Sequence, residues 1–264
     1  MVEVNGQRVW NFVLTGQVRS GAGVVLTSIN NRGGAVCHAD LFNPSADTRR
    51  AAHEAYYGEC ADPVRMPEWY VEGETNPWQY INRTVLDNPL RGETSVGFHL
   101  AYHTVRKLEL YDLLEERGRA GDFGVIQVIR NPVACFVSLK QAQQSGTWTR
   151  GWNTPMKARC PSPVRVNTEE LIAFCVEHET TQSKIRASCD DRIEIHYSDL
   201  VNDYQGVMTK VFDFIELPDM PVLAKPACRR LRNRPIRERV SNWAEVKLDV
   251  PTHVRRMIDS DDLF

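Results

Sequence analysis

The chain has 264 residues, of which 42% are hydrophobic and 25% charged, and a formal net charge of −2. That length fits one large α/β domain, the composition is ordinary for a soluble globular protein, and the charge excludes a global attraction to nucleic acid or an anionic membrane, so any anion site must be local. No apolar run approaches the roughly 20 residues of a membrane span, the segment Met1 to Arg8 lacks the basic start and apolar core of a secretion signal, and seven cysteines without a CxxC pair or histidines at ligand spacing predict reduced, mostly buried thiols in a cytoplasmic protein.

The first strand is expected over Arg8 to Thr15, an apolar run that stops at Gly16. A basic residue, Arg19, and the small residues Ser20, Gly21, Ala22 and Gly23 follow, and a helix runs over Val24 to Asn30. Successive backbone N–H groups and the positive end of a helix dipole at such a turn suit a phosphate or phosphosulfate. The spacing of Gly16 and Gly21 matches the start of a nucleoside-triphosphate loop. Ala22 and Gly23 then stand where that loop carries Lys-Ser/Thr, leaving nothing to reach a terminal phosphate or hold magnesium. By itself the turn reads equally well as a plain strand-to-helix connection.

Gly33 and Gly34 break the helix, and Ala35 to Cys37 form a short second strand followed by Asp40. A carboxylate at the C-terminal end of a strand lies where open α/β sheets place their chemistry, although position alone also suits a helix cap or turn residue. A polar helix is expected over 46–60, then an insertion over about 62–92 carrying Trp69, Tyr70, Trp78 and Tyr80. Such rings either stack on a sugar or pack the insertion onto the core.

Thr94 to Leu100 returns to a strand pattern and carries His99 near its end; one helix is expected over Thr104 to Arg117. Phe123 to Ile129 is a continuous apolar run of the kind found in a central parallel strand. It ends at Arg130, and a helix over Val133 to Gln144 carries Ser138. A glycine-, proline- and tryptophan-rich segment over about 145–167 reads as a lid. A long helix extends from Asn167 to about Ser188, a strand covers Arg192 to His196, with His196 read as structural, and an amphipathic helix covers Asp203 to Ile215. Lys225 to Arg239 holds seven basic residues against one acid. Such a run is either a solvated face or a clamp over a phosphate. Ser241 to Phe264 reads as a surface helix and tail.

These units resemble, in number and order, the PAPS-dependent sulfotransferases, especially the bacterial carbohydrate type that acts on trehalose and nodulation factors. Val13 to Gly21 is similar to the family's 5′-phosphosulfate loop, and Ala39 to Asn43 to its Gly-Glu-Leu-Leu/Phe-Asn segment. Gly97-Phe98-His99-Leu100 stands where the family often reads Gly-Phe-Lys-Leu. Ile129 to Ser138 resembles the 3′-phosphate motif, and its continuation to Trp148 the Ser…Ala…Gln…Trp helix. His196-Tyr197-Ser198-Asp199-Leu200 matches a Tyr-x-Asp-Leu element, and Arg234 to Asn242 a late Arg/Leu-x-x-x-Ser/Ala-Asn ending. Two departures stand out. Ala22 and Gly23 replace hydroxyl residues, each missing hydrogen bond being worth about 1.5–3 kcal/mol, and Asp40 is one methylene shorter than the family's glutamate.

The resemblance implies a single α/β domain over 1–264, a P-loop-like three-layer fold with a central, mostly parallel sheet flanked by helices. It also implies an enzyme with PAPS as co-substrate, no metal, no nucleic-acid partner and a hydroxyl-bearing acceptor. Arg19 and the backbone of Ser20 to Gly23 would hold the 5′-phosphosulfate; Arg130 and Ser138 would hold the 3′-phosphate, with Arg232 or Arg234 completing that clamp. Asp40 is the first candidate for the base that deprotonates the acceptor and His99 the rival, or else the group that binds the sulfuryl oxygens. Two other readings stand beside this one: a P-loop-type nucleotide kinase, and a non-catalytic nucleotide-binding protein whose loop has degenerated at Ala22-Gly23.

Overall fold

A computed structural model describes residues 2–4, 7–31, 33–39, 42, 76–82, 85, 93–146, 162–217 and 235–261. Among them the strands are β1 (Val2–Val4), β2 (Gln7–Gly16), β3 (Ala35–His38), β4 (Ser95–Ala101), β5 (Gly124–Ile129) and β6 (Arg192–His196). The sheet order is β3-β4-β2-β5-β6, all parallel, with β1 antiparallel to the first residues of β2. The expected α/β architecture with a mostly parallel sheet is the one observed.

Strands buried on both faces need apolar side chains at consecutive positions. Alternate residues of β2 supply the two faces: Val9 and Val13 enter one core, Phe12 and Leu14 the other. On the first face lie the helices α3 (Tyr102–Lys107), α4 (Tyr111–Arg119) and the C-terminal half of α6 (Thr168–Ser188), through Val105, Leu114 and Ile185. The short α2 (Pro77–Ile81) also packs there, and Trp78 and Tyr80 lie against this core. On the second face lie α1 (Ala22–Asn30) and α8 (Tyr204–Phe214), through Val25, Ile29, Met208 and Phe212. A third core joins α5 (Pro132–Ser145), the start of α6 and the terminal helices α9 (Ile236–Arg239), α10 (Trp243–Asp249) and α11 (Thr252–Asp261).

Two local expectations change. The helix expected over 104–117 is two helices, α3 and α4, because Glu109 adopts φ 52°, a left-handed conformation that ends the first turn series before the second begins. A further short helix, α7 (Tyr197–Asn202), follows β6 directly. The expected polar helix over 46–60 and most of the 62–92 insertion and 145–167 lid lie outside the described residues. Cys37, Cys135, Cys175 and Cys189 are buried thiols, and among the described residues no helix is long and apolar enough to cross a membrane.

Candidate anion site at the sheet edge

β2 and β5 are adjacent, with Gly16 paired to Val128, and β5 is paired in turn with β6, Ile129 to His196. The three strands therefore end side by side. The loop after β2 delivers Arg19, the first residue after β5 is Arg130, and the first after β6 is Tyr197. The C-terminal edge of a parallel sheet is where ligands of such folds sit.

The loop is tightly built. Gly16 leaves no room for a side chain, since a Cβ there would lie 2.7 Å from Ser20 Oγ and 2.9 Å from the carbonyl oxygen of Val128. Ser20 is fully buried; its backbone N–H donates to the Gln17 carbonyl at 2.9 Å, and its hydroxyl accepts from the Ala22 N–H at 3.4 Å. Ser20 thus serves the loop's own geometry with its side chain turned inward. Arg19 adopts φ 71° and Gly21 φ 105°. Gly21 is the N-cap of α1 and supplies no capping side chain. The Ala22 N–H goes to Ser20 Oγ and the Val24 N–H to the Gly21 carbonyl, so of the first three N–H groups of α1 that of Gly23 alone makes no such bond among the described residues and is left to meet an anion. Gly23 is exposed, with nothing within 4 Å of a Cβ placed on it.

The arginines meet across this edge. Arg19 Nε donates to Ser138 Oγ at 3.1 Å, and Arg130 Nη1 donates to the Arg19 carbonyl oxygen at 2.8 Å. The second bond holds the left-handed turn of Arg19 in place. Ser138, two turns into α5, is buried. Its helix is aimed by Asn131, whose side-chain oxygen accepts from the N–H groups of Val133 and Ala134 while its amide donates to the carbonyl of Met257 in α11 at 2.6 Å. Burial, and then the neighbouring Arg130 charge, lower the Arg19 pKa from its ordinary value. Two guanidinium groups side by side form a local concentration of positive charge within a chain of net charge −2. Ser138, Arg19 and Arg130, expected at separate ends of a nucleotide, are joined in one hydrogen-bonded cluster.

His99 is half-buried on β4, in register with Leu14, two residues before the strand ends. Its neighbours Ser95 and Gly97 point toward the α1–α8 face, where Ser95 donates to the Ile215 carbonyl and Gly97 lies against the Phe12 ring, so His99 lies on that face too. Asp40, Arg232 and Arg234 lie outside the described residues.

Two features of the site went unread in the sequence. The Arg130 guanidinium lies 3.9 Å over the Tyr197 ring. Arg239, on α9, is fixed by Gln141, whose side-chain oxygen accepts from its Nε at 3.1 Å and Nη2 at 2.9 Å. Gln141 is buried one turn after Ser138 on the same face of α5, which brings a third arginine toward that hydroxyl. The basic composition of 225–239 was the available signal, but it did not single out Arg239.

No protein-family model and no curated protein matches the chain. Among solved structures it is similar to a sulfotransferase from Alicyclobacillus acidocaldarius, with TM-score 0.47 and 13% identity over 94% of this chain and 99% of that one. It is similar also to the sulfotransferase domain of the Synechococcus PCC 7002 olefin synthase, with TM-score 0.47 and 13% identity over 98% and 97% of the two chains. A third is the sulfotransferase domain from the curacin biosynthetic pathway, with TM-score 0.49 and 11% identity over 96% and 98%. At identities this low, the chemistry rests on the residues of this chain.

Proposed function

We propose that this protein transfers a sulfuryl group from PAPS to a hydroxyl of an acceptor, a carbohydrate or glycolipid being the acceptor class that its motifs favour. The observation that carries the reading is the convergence of Arg19, Ser138 and Arg130 at the ends of β2 and β5 beside the N-terminus of α1. A doubly phosphorylated nucleotide fits this donor set. Guanidinium groups and a hydroxyl can take one phosphate, and the Gly23 N–H with Arg19 can take the other. The absent hydroxyls at Ala22 and Gly23 leave that second role to the backbone.

The donor supplies an activated sulfuryl group. Its sulfur–oxygen bond to the 5′-phosphate breaks as a bond forms from the acceptor oxygen to sulfur, and the acceptor's proton passes to a base. The protein's part is position and positive charge at the equatorial and leaving oxygens. Arg19 neutralises the leaving phosphate, Arg130 and Ser138 hold the 3′-phosphate, and Arg239, held by Gln141, is the member of the basic segment whose location supports joining them; Arg232 and Arg234 are further candidates. Asp40 is proposed as the base and His99 as a group stabilising the sulfuryl oxygens. A base in this role contributes roughly 10²–10⁴-fold. No metal is expected.

Calorimetry with adenosine 3′,5′-bisphosphate in the absence of metal tests the reading, followed by transfer of radiolabelled sulfate to a glycan panel. Binding of ATP that requires magnesium would replace it with the kinase reading. Failure to bind the bisphosphate at millimolar concentration would leave a non-catalytic protein. Near-normal turnover in Asp40→Asn with none in His99→Ala would exchange the two roles.

A further inference from the structure

Arg130 must be held still to recognise a phosphate, yet a carboxylate partner would neutralise the charge it needs. None of the ion pairs among the described residues involves Arg130. Among the described residues it makes a hydrogen bond to the Arg19 carbonyl and stacks on Tyr197, 3.9 Å from ring centroid to guanidinium carbon. The register makes this stack: Ile129 pairs with His196, so Arg130 and Tyr197 emerge from adjacent strands at the same level. The same ring also abuts the anion loop. A Cβ on Gly21 would lie 2.9 Å from Tyr197 Cδ2 and 3.3 Å from Cε2. The Tyr197 hydroxyl makes no hydrogen bond with the described residues, so the ring carries these contacts.

We propose that Tyr197 is a positioning residue that fixes Arg130 for the 3′-phosphate of the nucleotide and spaces it from the loop at Gly21, through the face of its ring. An aromatic face attracts a cation by its quadrupole and leaves the net charge intact. The N–H groups of Arg130 lie in the guanidinium plane, so a stacked partner leaves them available to an anion while limiting the rotation of the group. Tyr197 thereby supplies what neither an acidic nor an aliphatic residue would: a fixed cation that is still a cation. The inference rests on the nucleotide reading above and goes beyond it by assigning discrimination between singly and doubly phosphorylated nucleotides to a side chain that acts through another.

The test compares calorimetric affinities for adenosine 3′,5′-bisphosphate and adenosine 5′-monophosphate in wild type, Tyr197→Phe and Tyr197→Leu. The ratio of the two dissociation constants isolates the 3′-phosphate contribution. Tyr197→Leu should reduce that ratio about tenfold, and Tyr197→Phe should restore it to within about twofold of wild type. A parallel loss of both affinities in Tyr197→Leu, with the ratio kept, would overturn the proposal, since a merely structural role or a contact to the base weakens both ligands together. So would an equal loss of the ratio in Tyr197→Phe, which would assign the effect to the hydroxyl. Arginine-selective NMR of the ligand-free protein gives an independent reading, with Arg130 Nε–H assigned through Arg130→Lys. Slow guanidinium rotation and a ring-current shift are expected in wild type and Tyr197→Phe, and both should be absent in Tyr197→Leu. If wild type binds neither nucleotide, the nucleotide reading falls and with it the assigned ligand. Rapid Arg130 rotation in wild type would defeat the positioning role itself.

Discussion

Gly21→Ala probes the loop and its tyrosine together, and Gly23→Ala, two residues on, is its control. At φ 105° an L-residue meets the steric clash that makes left-handed backbone cost roughly 1–2 kcal/mol. The new methyl group would also sit 2.9 Å from the Tyr197 ring, inside contact distance, so the ring must move away from Arg130. Loss of a partly desolvated cation–π contact adds about 1 kcal/mol. The sum is about 2–3 kcal/mol of folding stability; with a urea m-value of about 2–3 kcal/mol/M, the midpoint should fall by about 1 M. Gly23 meets nothing within 4 Å and has no positive φ, so alanine there should raise the midpoint slightly, the helical gain being up to about 1 kcal/mol. Urea unfolding followed by fluorescence measures both. Equal midpoints for the two variants would refute the steric reasoning, as would a stabilised Gly21→Ala.

Ser138→Ala removes the acceptor of the Arg19 Nε hydrogen bond, and calorimetry should show affinity for adenosine 3′,5′-bisphosphate falling roughly 10- to 100-fold, the range for a hydrogen bond to a charged group. His178 is buried on α6 with its ring against Tyr102, and burial lowers its pKa to about 4. In the unfolded chain its pKa is about 6.5, so between these values the unfolded state binds more protons; stability should fall as pH drops from about 6.5 to 4, by about 3 kcal/mol in all, and be unaffected by this group above that window. Denaturation midpoints across pH 4–7 in wild type and His178→Gln check this, the variant being expected to flatten the profile. Asn11 is 1% exposed on the central strand and, among the described residues, neither its amide nitrogen nor its amide oxygen has a hydrogen-bond partner. Asn11→Val should therefore raise stability by about 1–3 kcal/mol in the same urea assay, the cost of leaving such groups unsatisfied; a loss would indicate that the side chain holds an internal water.

The sheet was legible because parallel strands need runs such as Val9 to Leu14 and Val125 to Ile129, and those runs leave no other use for themselves. The loop and Arg130 were legible because strand ends concentrate ligand contacts, and both lie within a few residues of such an end. The paired helices α3 and α4 were not. Leu110, Leu113 and Leu114 fit one face of a single helix, and nothing local shows that Glu109 turns left-handed to let Leu110 reach the core. The partnerships of the site were hidden by distance along the chain: Arg19 with Ser138 is a separation of 119 residues, and Gln141 with Arg239 one of 98. Tyr197 could be quoted as part of a motif, yet its place beneath Arg130 follows only from the β5–β6 register.

The position of β2 at the middle of the sheet has a consequence for biosynthesis. This strand is synthesised well before its parallel partners, residues 95–101 and 124–129. At about 5–20 residues per second, the apolar stretch waits on the order of ten seconds for its neighbours. Among the described residues only β1 pairs with it early, along Val9 and the residues before it, as a local hairpin. The nascent chain thus carries an unshielded, aggregation-prone segment until β4 and β5 have been made, and slowing translation over residues 20–120 should lower soluble yield more than the same delay placed after residue 200.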